Sequence, residues 1–106
     1  MASYSVIRAA TKCHTEKRRW ALSGASRPGE SAEEVAEHTS SIRSYRQMSV
    51  GVAGDLRVAG FPVFWDTVGA HVQIDLPGSP DEAMCASLRD LMPARKNPHF
   101  RGEEQR

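Results

Sequence analysis

Polar and apolar residues alternate along His71-Val72-Gln73-Ile74-Asp75-Leu76, and the polar ones are of types that do acid–base chemistry. A period of two is typical of a strand, so His71, Gln73 and Asp75 share one face, with successive members about 6–7 Å apart. The imidazole could act as acid or base, with Asp75 as its electrostatic partner and Gln73 as a hydrogen-bond donor. The same alternation is typical of a strand whose polar face lies in solvent, and we favour that interpretation.

Three other clusters carry reactive or charged groups. Cys13-His14 places a thiol beside an imidazole, but adjacent residues on a strand point to opposite sides. The cysteines and histidines lack the spacing of zinc ligands, so no metal site is expected. Lys17-Arg18-Arg19-Trp20 could hold phosphates while the ring stacks on a base. We favour a solvated basic loop there and expect no nucleic-acid partner.

Aromatic residues are concentrated in a segment that contains Pro62 and shows no regular pattern. Such a segment forms either the lid of the hydrophobic core or a recognition surface. A chain this small needs its aromatic residues inside, which favours the core. If the protein is a binding module, its predicted contact residues are Phe61, Phe64, Trp65 and Asp66.

Length and composition describe an ordinary small protein. The chain has 106 residues, a formal net charge of +1, 40% hydrophobic and 25% charged residues. We therefore expect one domain and no global field that attracts nucleic acid or an acidic partner. Residues 1–7 lack the apolar core of a secretory signal, and two widely separated cysteines suit a reducing compartment, so we expect a cytoplasmic protein. The longest apolar run, at 61–65, is far too short for a membrane span.

Periodicity and capping signals predict the elements that must position these residues. Strands are predicted at 5–9, 20–22, 47–53, 56–58 and 71–76, and helices at 32–44 and 80–92. Both helices begin with a Ser-x-x-Glu capping box, at Ser31 and at Ser79. Pro62 restricts its segment to an edge strand or a buried loop. The order predicts an α+β domain over 1–93, with a mostly antiparallel sheet of four to five short strands and two helices packed on it. Residues 94–106 are predicted to be a polar, disordered tail.

Several motifs lie within residues 20–92: Leu22-Ser23, the helix at 31–38, Ser49-Val50-Gly51-Val52, and Ala59-Gly60-Phe61-Pro62-Val63 leading to the strand at 71–75. In these motifs the chain resembles small uncharacterised bacterial proteins. The resemblance implies a bacterial, cytosolic setting, in conflict or defence gene neighbourhoods, without implying a mechanism.

Arg8 follows Ser5-Val6-Ile7, and Ser23 follows Trp20-Ala21-Leu22. In these two elements the chain resembles minimal mono-ADP-ribosyltransferase toxins, in which a first-strand Arg, a second-strand Ser and a later Glu bind and attack NAD. The third departs from the pattern, because the expected strand offers Gln73 or Asp75 in place of a glutamate. The resemblance implies that Arg8 binds phosphate, Ser23 supports the ribose and Asp75 is the charge near the reacting carbon.

Two main hypotheses about function follow. The leading one is a small cytosolic binding module that needs no cofactor and acts on a protein partner through the segment 61–66. The alternative is an NAD-dependent transferase that uses Arg8, Ser23, His71 and Asp75. Nucleic-acid binding through the basic residues at 17–20 is a third, weaker hypothesis.

Overall fold

The computed structural model describes residues 3–65 and 69–101 and confirms the α+β class. Its helices are α1 (Ser3–Lys17), α2 (Ala32–His38), α3 (Ser40–Arg43), α4 (Ala53–Val58) and α5 (Glu82–Leu91). Its strands are β1 (Ala21–Ala25), β2 (Gln47–Ser49), β3 (Val63–Trp65), β4 (His71–Asp75) and β5 (Ala94–Lys96). In place of one sheet of four to five strands, these form an antiparallel three-stranded sheet in the order β1-β4-β3 and a two-stranded sheet of β2 and β5.

The central strand β4 agrees with the sequence prediction. Val72, Ile74 and Leu76 are buried, whereas the polar residues between them are half-buried. In the sheet register Ile74 lies between Leu22 of β1 and Val63 of β3, and these residues also belong to the core. One face of the three-stranded sheet is therefore apolar, as period-two alternation requires.

Three helices cover that apolar face. The core cluster includes Val6 and Ala10 from α1, Leu56 from α4, and Cys85 and Leu88 from α5. Because these buried side chains pack with the inward-facing residues of β1, β3 and β4, the helices and the sheet form two layers around one core. The opposite face of the sheet, which carries the polar residues of β4, is called the outer face below.

The predicted first strand at 5–9 is wrong, since these residues belong to α1. The basic loop predicted at 17–20 is shorter than expected, because Lys17 is the last residue of the helix and only Arg18, Arg19 and Trp20 lie outside regular structure. Val6, Ala10 and Cys13 recur at intervals of four and three residues, which is a helical period, and Val6 and Ala10 are fully buried. The short stretch at 5–9 fits a strand only when it is considered without the residues that follow. The helix ends at Lys17 and is followed by Arg18, which adopts a left-handed backbone conformation with φ 59°.

Other predicted boundaries also shift. Residues 56–58 lie in α4 instead of a strand, and the strand predicted at 47–53 is confined to β2. The helix predicted at 32–44 is interrupted at Thr39, whose backbone is extended. Thr39-Ser40-Ser41 places hydroxyl side chains that compete for backbone hydrogen bonds in succession, which disfavours a continuous helix.

The two predicted capping boxes have different outcomes. At Ser31 both reciprocal bonds form, with the Glu34 N–H donating to the Ser31 hydroxyl and the Ser31 N–H donating to the Glu34 carboxylate. At the last helix the N-cap is Asp81, not Ser79, because the Asp81 carboxylate accepts the Met84 N–H at 2.8 Å. An aspartate two residues further along competes successfully for the same role.

The predicted tail begins with ordered structure. Residues 94–96 form β5, which pairs with β2, and the following Asn97 is buried. The Asn97 amide nitrogen donates to the carbonyls of Ile42 and Tyr45, both at 3.0 Å, and its oxygen accepts the His99 N–H at 2.9 Å. The segment 94–101 is thus hydrogen-bonded to the C-terminal end of α3. Residues 102–106 lie outside the described part of the chain.

Candidate functional site

The outer face brings some of the predicted catalytic residues together. Ser23 on β1, Gln73 on β4 and Phe64 on β3 lie side by side in the register. Ala21 is paired with Asp75, so Ser23 and Asp75 are diagonal neighbours on this face, roughly 7–8 Å apart. His71 lies at the other end of β4, opposite Ala25.

Asp75 is held by two polar neighbours. The Gln73 amide donates to one carboxylate oxygen at 2.6 Å, and the Arg19 guanidinium lies 3.6 Å from the other. Four residues along a strand separate the Cα atoms of His71 and Asp75 by about 13 Å, with Gln73 between them. Asp75 is therefore the partner of Gln73 and Arg19 rather than of His71.

Arg8 lies away from the outer face. It is exposed on α1, two residues from each of the buried Val6 and Ala10, and so on the opposite side of the helix from the core. Because α1 packs on the apolar face of the sheet, both the helix and the sheet lie between Arg8 and Ser23. The structure brings Ser23 and Asp75 together but not Arg8, which lies on a helix rather than on a first strand.

The basic and thiol clusters of the N-terminal region have structural neighbours. The rings of His14 and Trp20 are stacked, with centroids 4.1 Å apart and planes 7° from parallel. Trp20 is partly buried against the core, so little of its ring is left to stack on a base. Cys13 and Cys85 are both free thiols, and Cys85 is fully buried.

The aromatic segment is divided between core and surface. Phe61 is only 5% exposed and belongs to the core, so its prediction as a contact residue is wrong. Phe64 and Trp65 are 51% and 57% exposed. Asp66, the fourth predicted contact residue, lies outside the described residues. Both interpretations of the segment therefore apply, each to a different part of it.

Phe64 and Trp65 lie on an edge strand, which is one of the two placements that Pro62 allowed. The Asp75 N–H donates to the Pro62 carbonyl at 2.8 Å, which sets the alternation of hydrogen bonds along β3. The backbone groups of Phe64 consequently face β4, and those of Val63 and Trp65 face away from the sheet. The Arg57 side chain donates to the outward carbonyl of Val63 at 2.8 Å, which blocks part of this edge.

An open cleft of about 450 Å³ lies beside Trp65. It is lined by Ser26, Arg27, Pro28, Glu30, Trp65, Gly69 and Ala70. The Trp65 indole N–H donates to the Ser26 carbonyl at 3.4 Å, and the Arg27 guanidinium donates to the His38 carbonyl at 3.2 Å. Sequence reasoning did not find the cleft, because its walls come from loops whose approach depends on the β1–β4 register.

Within residues 3–65 and 69–101, no three His, Cys, Asp or Glu side chains come close enough together to hold a metal ion. None of the helices in those ranges combines the length and the apolar content that crossing a bilayer requires.

In comparisons with known proteins, no family model, no curated protein and no solved structure matches the chain.

Proposed function

We propose that this chain is a small cytosolic binding module that contacts a protein partner through the aromatic edge, defined as Phe64 and Trp65 on β3. The supporting observation is that both rings are about half exposed although β4 fixes their backbone in the sheet. Successive residues on a strand point to opposite faces, so the two rings lie on either side of the edge. Aromatic residues held in this way are typical of the anchors at protein interfaces.

The exposed area is large enough to support binding. A Phe or Trp side chain buries about 150–250 Å² when it is fully covered, so each ring retains roughly 100 Å² for a partner. At about 25 cal/mol per Å², covering that area contributes about 2.5 kcal/mol for each ring. Loss of one ring would then weaken binding by roughly 60-fold.

An extended segment of the partner is the occupant that suits this edge. The N–H and C=O of Trp65 face away from β4 and can pair with an added backbone, whereas Arg57 already occupies the Val63 carbonyl. The added strand is therefore short, with its pairing centred on Trp65. The cleft beside Trp65 is open and lined by Pro28 and Arg27, so it can receive one side chain of the same segment.

Site-specific photo-crosslinking tests the proposal. A photoreactive phenylalanine analogue at position 64 is expected to give one discrete adduct in cells. The same analogue at position 58 is the control, because Val58 is 91% exposed and lies on α4. Trp65→Ser in the same chain should suppress the adduct from position 64 while the thermal midpoint stays unchanged. Equal adducts from both positions, or an adduct insensitive to Trp65→Ser, would contradict the proposal.

The transferase alternative has less support. It implies NAD binding by Arg8, Ser23 and Asp75, and only Ser23 and Asp75 share a face of the sheet. We therefore place the binding module first. An NMR titration with NAD tests the alternative directly, since it predicts saturable shifts of the Ser23 and His71 amides.

A further inference from the structure

We propose that the outer edge of β5 binds an acidic, extended segment of a protein partner, which adds to the β2–β5 sheet as a third strand. The outer edge of β5 is defined by the backbone N–H and C=O groups of Ala94 and Lys96. This second surface is separate from the aromatic edge and goes beyond the binding function proposed for it. It lies in a segment that the sequence predicts to be a disordered tail.

The hydrogen-bond pattern of the β2–β5 sheet turns these backbone groups outward. The sheet register, continued by one residue, places Asn97 opposite Arg46, and the Asn97 N–H donates to the Arg46 carbonyl at 2.9 Å. Hydrogen-bonded and non-bonded pairs alternate along an antiparallel ladder, so the backbone groups of Ala94 and Lys96 point away from β2. Within residues 3–65 and 69–101 these groups have no hydrogen-bond partner, and all three residues of β5 are exposed. Two N–H and two C=O groups can therefore pair with an added strand.

Two prolines limit the length of that strand. Pro93 and Pro98 flank the stretch 94–97, and proline has no N–H with which to continue the pairing. The added strand therefore pairs over about four residues. An isolated two-stranded sheet is only marginally stable, so a third strand should also reduce local opening of β5.

The surroundings of this edge are basic. The two segments that form the sheet and its extension, 43–50 and 93–101, contain no Asp or Glu and five Lys or Arg residues, namely Arg43, Arg46, Arg95, Lys96 and Arg101. Arg95 pairs with Glu33 of α2. In the part of the chain that the structure describes, the side chains of Lys96 and Arg101 form neither an ion pair nor a hydrogen bond. The formal net charge of +1 therefore conceals a local excess of positive charge that favours an acidic partner.

Lys96 would contact the added strand directly. In an antiparallel addition, the residue opposite Lys96 exchanges both backbone hydrogen bonds with it and places its side chain on the same face, with Cβ atoms about 5 Å apart. Gln47 is the opposite neighbour of Lys96 on β2 and is also exposed, so this face is open to solvent. A carboxylate opposite Lys96 is stabilising, whereas a basic side chain is destabilising. The lysine thus discourages indiscriminate pairing at the edge and selects an acidic strand.

Other occupants fit the edge less well. A symmetric pairing of two β5 strands that uses both Ala94 and Lys96 would place Arg95 opposite Arg95 of the second copy, and like charges in that position are destabilising. Phosphates of a nucleic acid would meet the cations but would leave the outward carbonyl groups without donors. An acidic polypeptide strand supplies both the charge and the complete backbone pairing.

Anisotropy of a fluorescein-labelled, eight-residue peptide of alternating Glu and Thr measures binding at 50 mM salt. A peptide in which Lys replaces each Glu is the matched control and should bind at least about tenfold more weakly. Lys96→Glu should weaken binding of the acidic peptide at least about fivefold. Lys12→Glu makes the same charge change in an exposed residue of α1 and should change binding less than about twofold.

Backbone methylation tests the strand addition itself. A Glu opposite Lys96 bonds β5 through its own N–H, so N-methylation of the Glu residues should abolish binding. N-methylation of the Thr residues, whose N–H groups face away from β5, should leave most of the affinity. Hydrogen exchange of the Ala94 and Lys96 amides should slow at least about tenfold when the acidic peptide is bound, because both N–H groups then gain acceptors.

Each remaining outcome would overturn the proposal. These outcomes are absence of binding at 1 mM peptide, equal losses in the Lys96 and Lys12 variants, and binding that is insensitive to methylation of the Glu residues. Displacement of the peptide by an equal concentration of single-stranded oligonucleotide would identify phosphate as the ligand. Protection of the Ala94 and Lys96 amides in a concentrated solution of the protein alone would identify a second copy as the occupant.

The two proposed surfaces can fail separately. Trp65→Ser should leave binding of the acidic peptide unchanged, and Lys96→Glu should leave the photo-adduct from position 64 unchanged. Circular dichroism checks that each variant is folded.

Discussion

Replacement of Asn97 tests whether the segment 94–101 is part of the folded unit. The Asn97 side chain, in a residue only 2% exposed, makes three hydrogen bonds to backbone groups of Ile42, Tyr45 and His99. Each such bond contributes a net of about 1 kcal/mol. Asn97→Ala should therefore lower the free energy of unfolding by about 2–3 kcal/mol.

Urea denaturation followed by circular dichroism measures this loss. With a slope of about 1–2 kcal/mol per molar urea, the midpoint should fall by roughly 1–3 M. Hydrogen exchange gives the local counterpart, because the N–H groups of His99 and Arg101 donate to Asn97 and to the Arg43 carbonyl. Their protection should decrease more than that of β4 amides.

Asn97→Asp is the matched control, since it keeps the acceptor for His99 but loses the donors to two carbonyls. At neutral pH the new carboxylate faces carbonyl oxygens, so the loss of stability should equal or exceed that of Asn97→Ala. Its pKa should be raised in the folded state, so stability should return as the pH falls and the protonated carboxyl donates again. A loss below about 0.5 kcal/mol for Asn97→Ala, or wild-type stability for Asn97→Asp at pH 7, would refute the reasoning.

Three further predictions concern packing, capping and the aromatic segment. Gly51→Ala should lower the free energy of unfolding by about 1–3 kcal/mol, because a Cβ there would lie 2.7 Å from the Leu91 carbonyl oxygen. The control is Gly54→Ala, whose Cβ would meet nothing within 4 Å, and it should be neutral or stabilising in the same thermal denaturation. Hydrogen bonds from the Ser31 backbone and hydroxyl lower the pKa of Glu34 below 4.5. The capping box therefore stabilises the fold above that pH and loses this contribution as the pH falls through the folded pKa. Ser31→Ala should raise the Glu34 pKa in a carbon-detected NMR titration. Phe61→Ala should cost about 3–5 kcal/mol in urea and Phe64→Ala less than 1 kcal/mol, and equal losses would contradict the division of the aromatic segment.

The parts of the fold that the sequence predicted are those with a local signal. Strand β4 has an uninterrupted period of two, and α2 begins at a complete capping box. The helix α1 was missed because its buried residues, at intervals of four and three, are separated by charged and hydroxyl residues, and its first turn alone fits a strand. The order in the segment 94–101 depends on Asn97 reaching carbonyls more than 50 residues away, for which a polar sequence gives no sign.

The candidate site was predictable only to the extent that it depends on one strand. The shared face of His71, Gln73 and Asp75 follows from alternation, but the neighbours of Asp75 follow from a register that the sequence does not specify. Likewise, Phe61, Phe64 and Trp65 are chemically similar and close in the chain. The turn after α4 buries the first, and the position of β3 at the sheet edge exposes the other two.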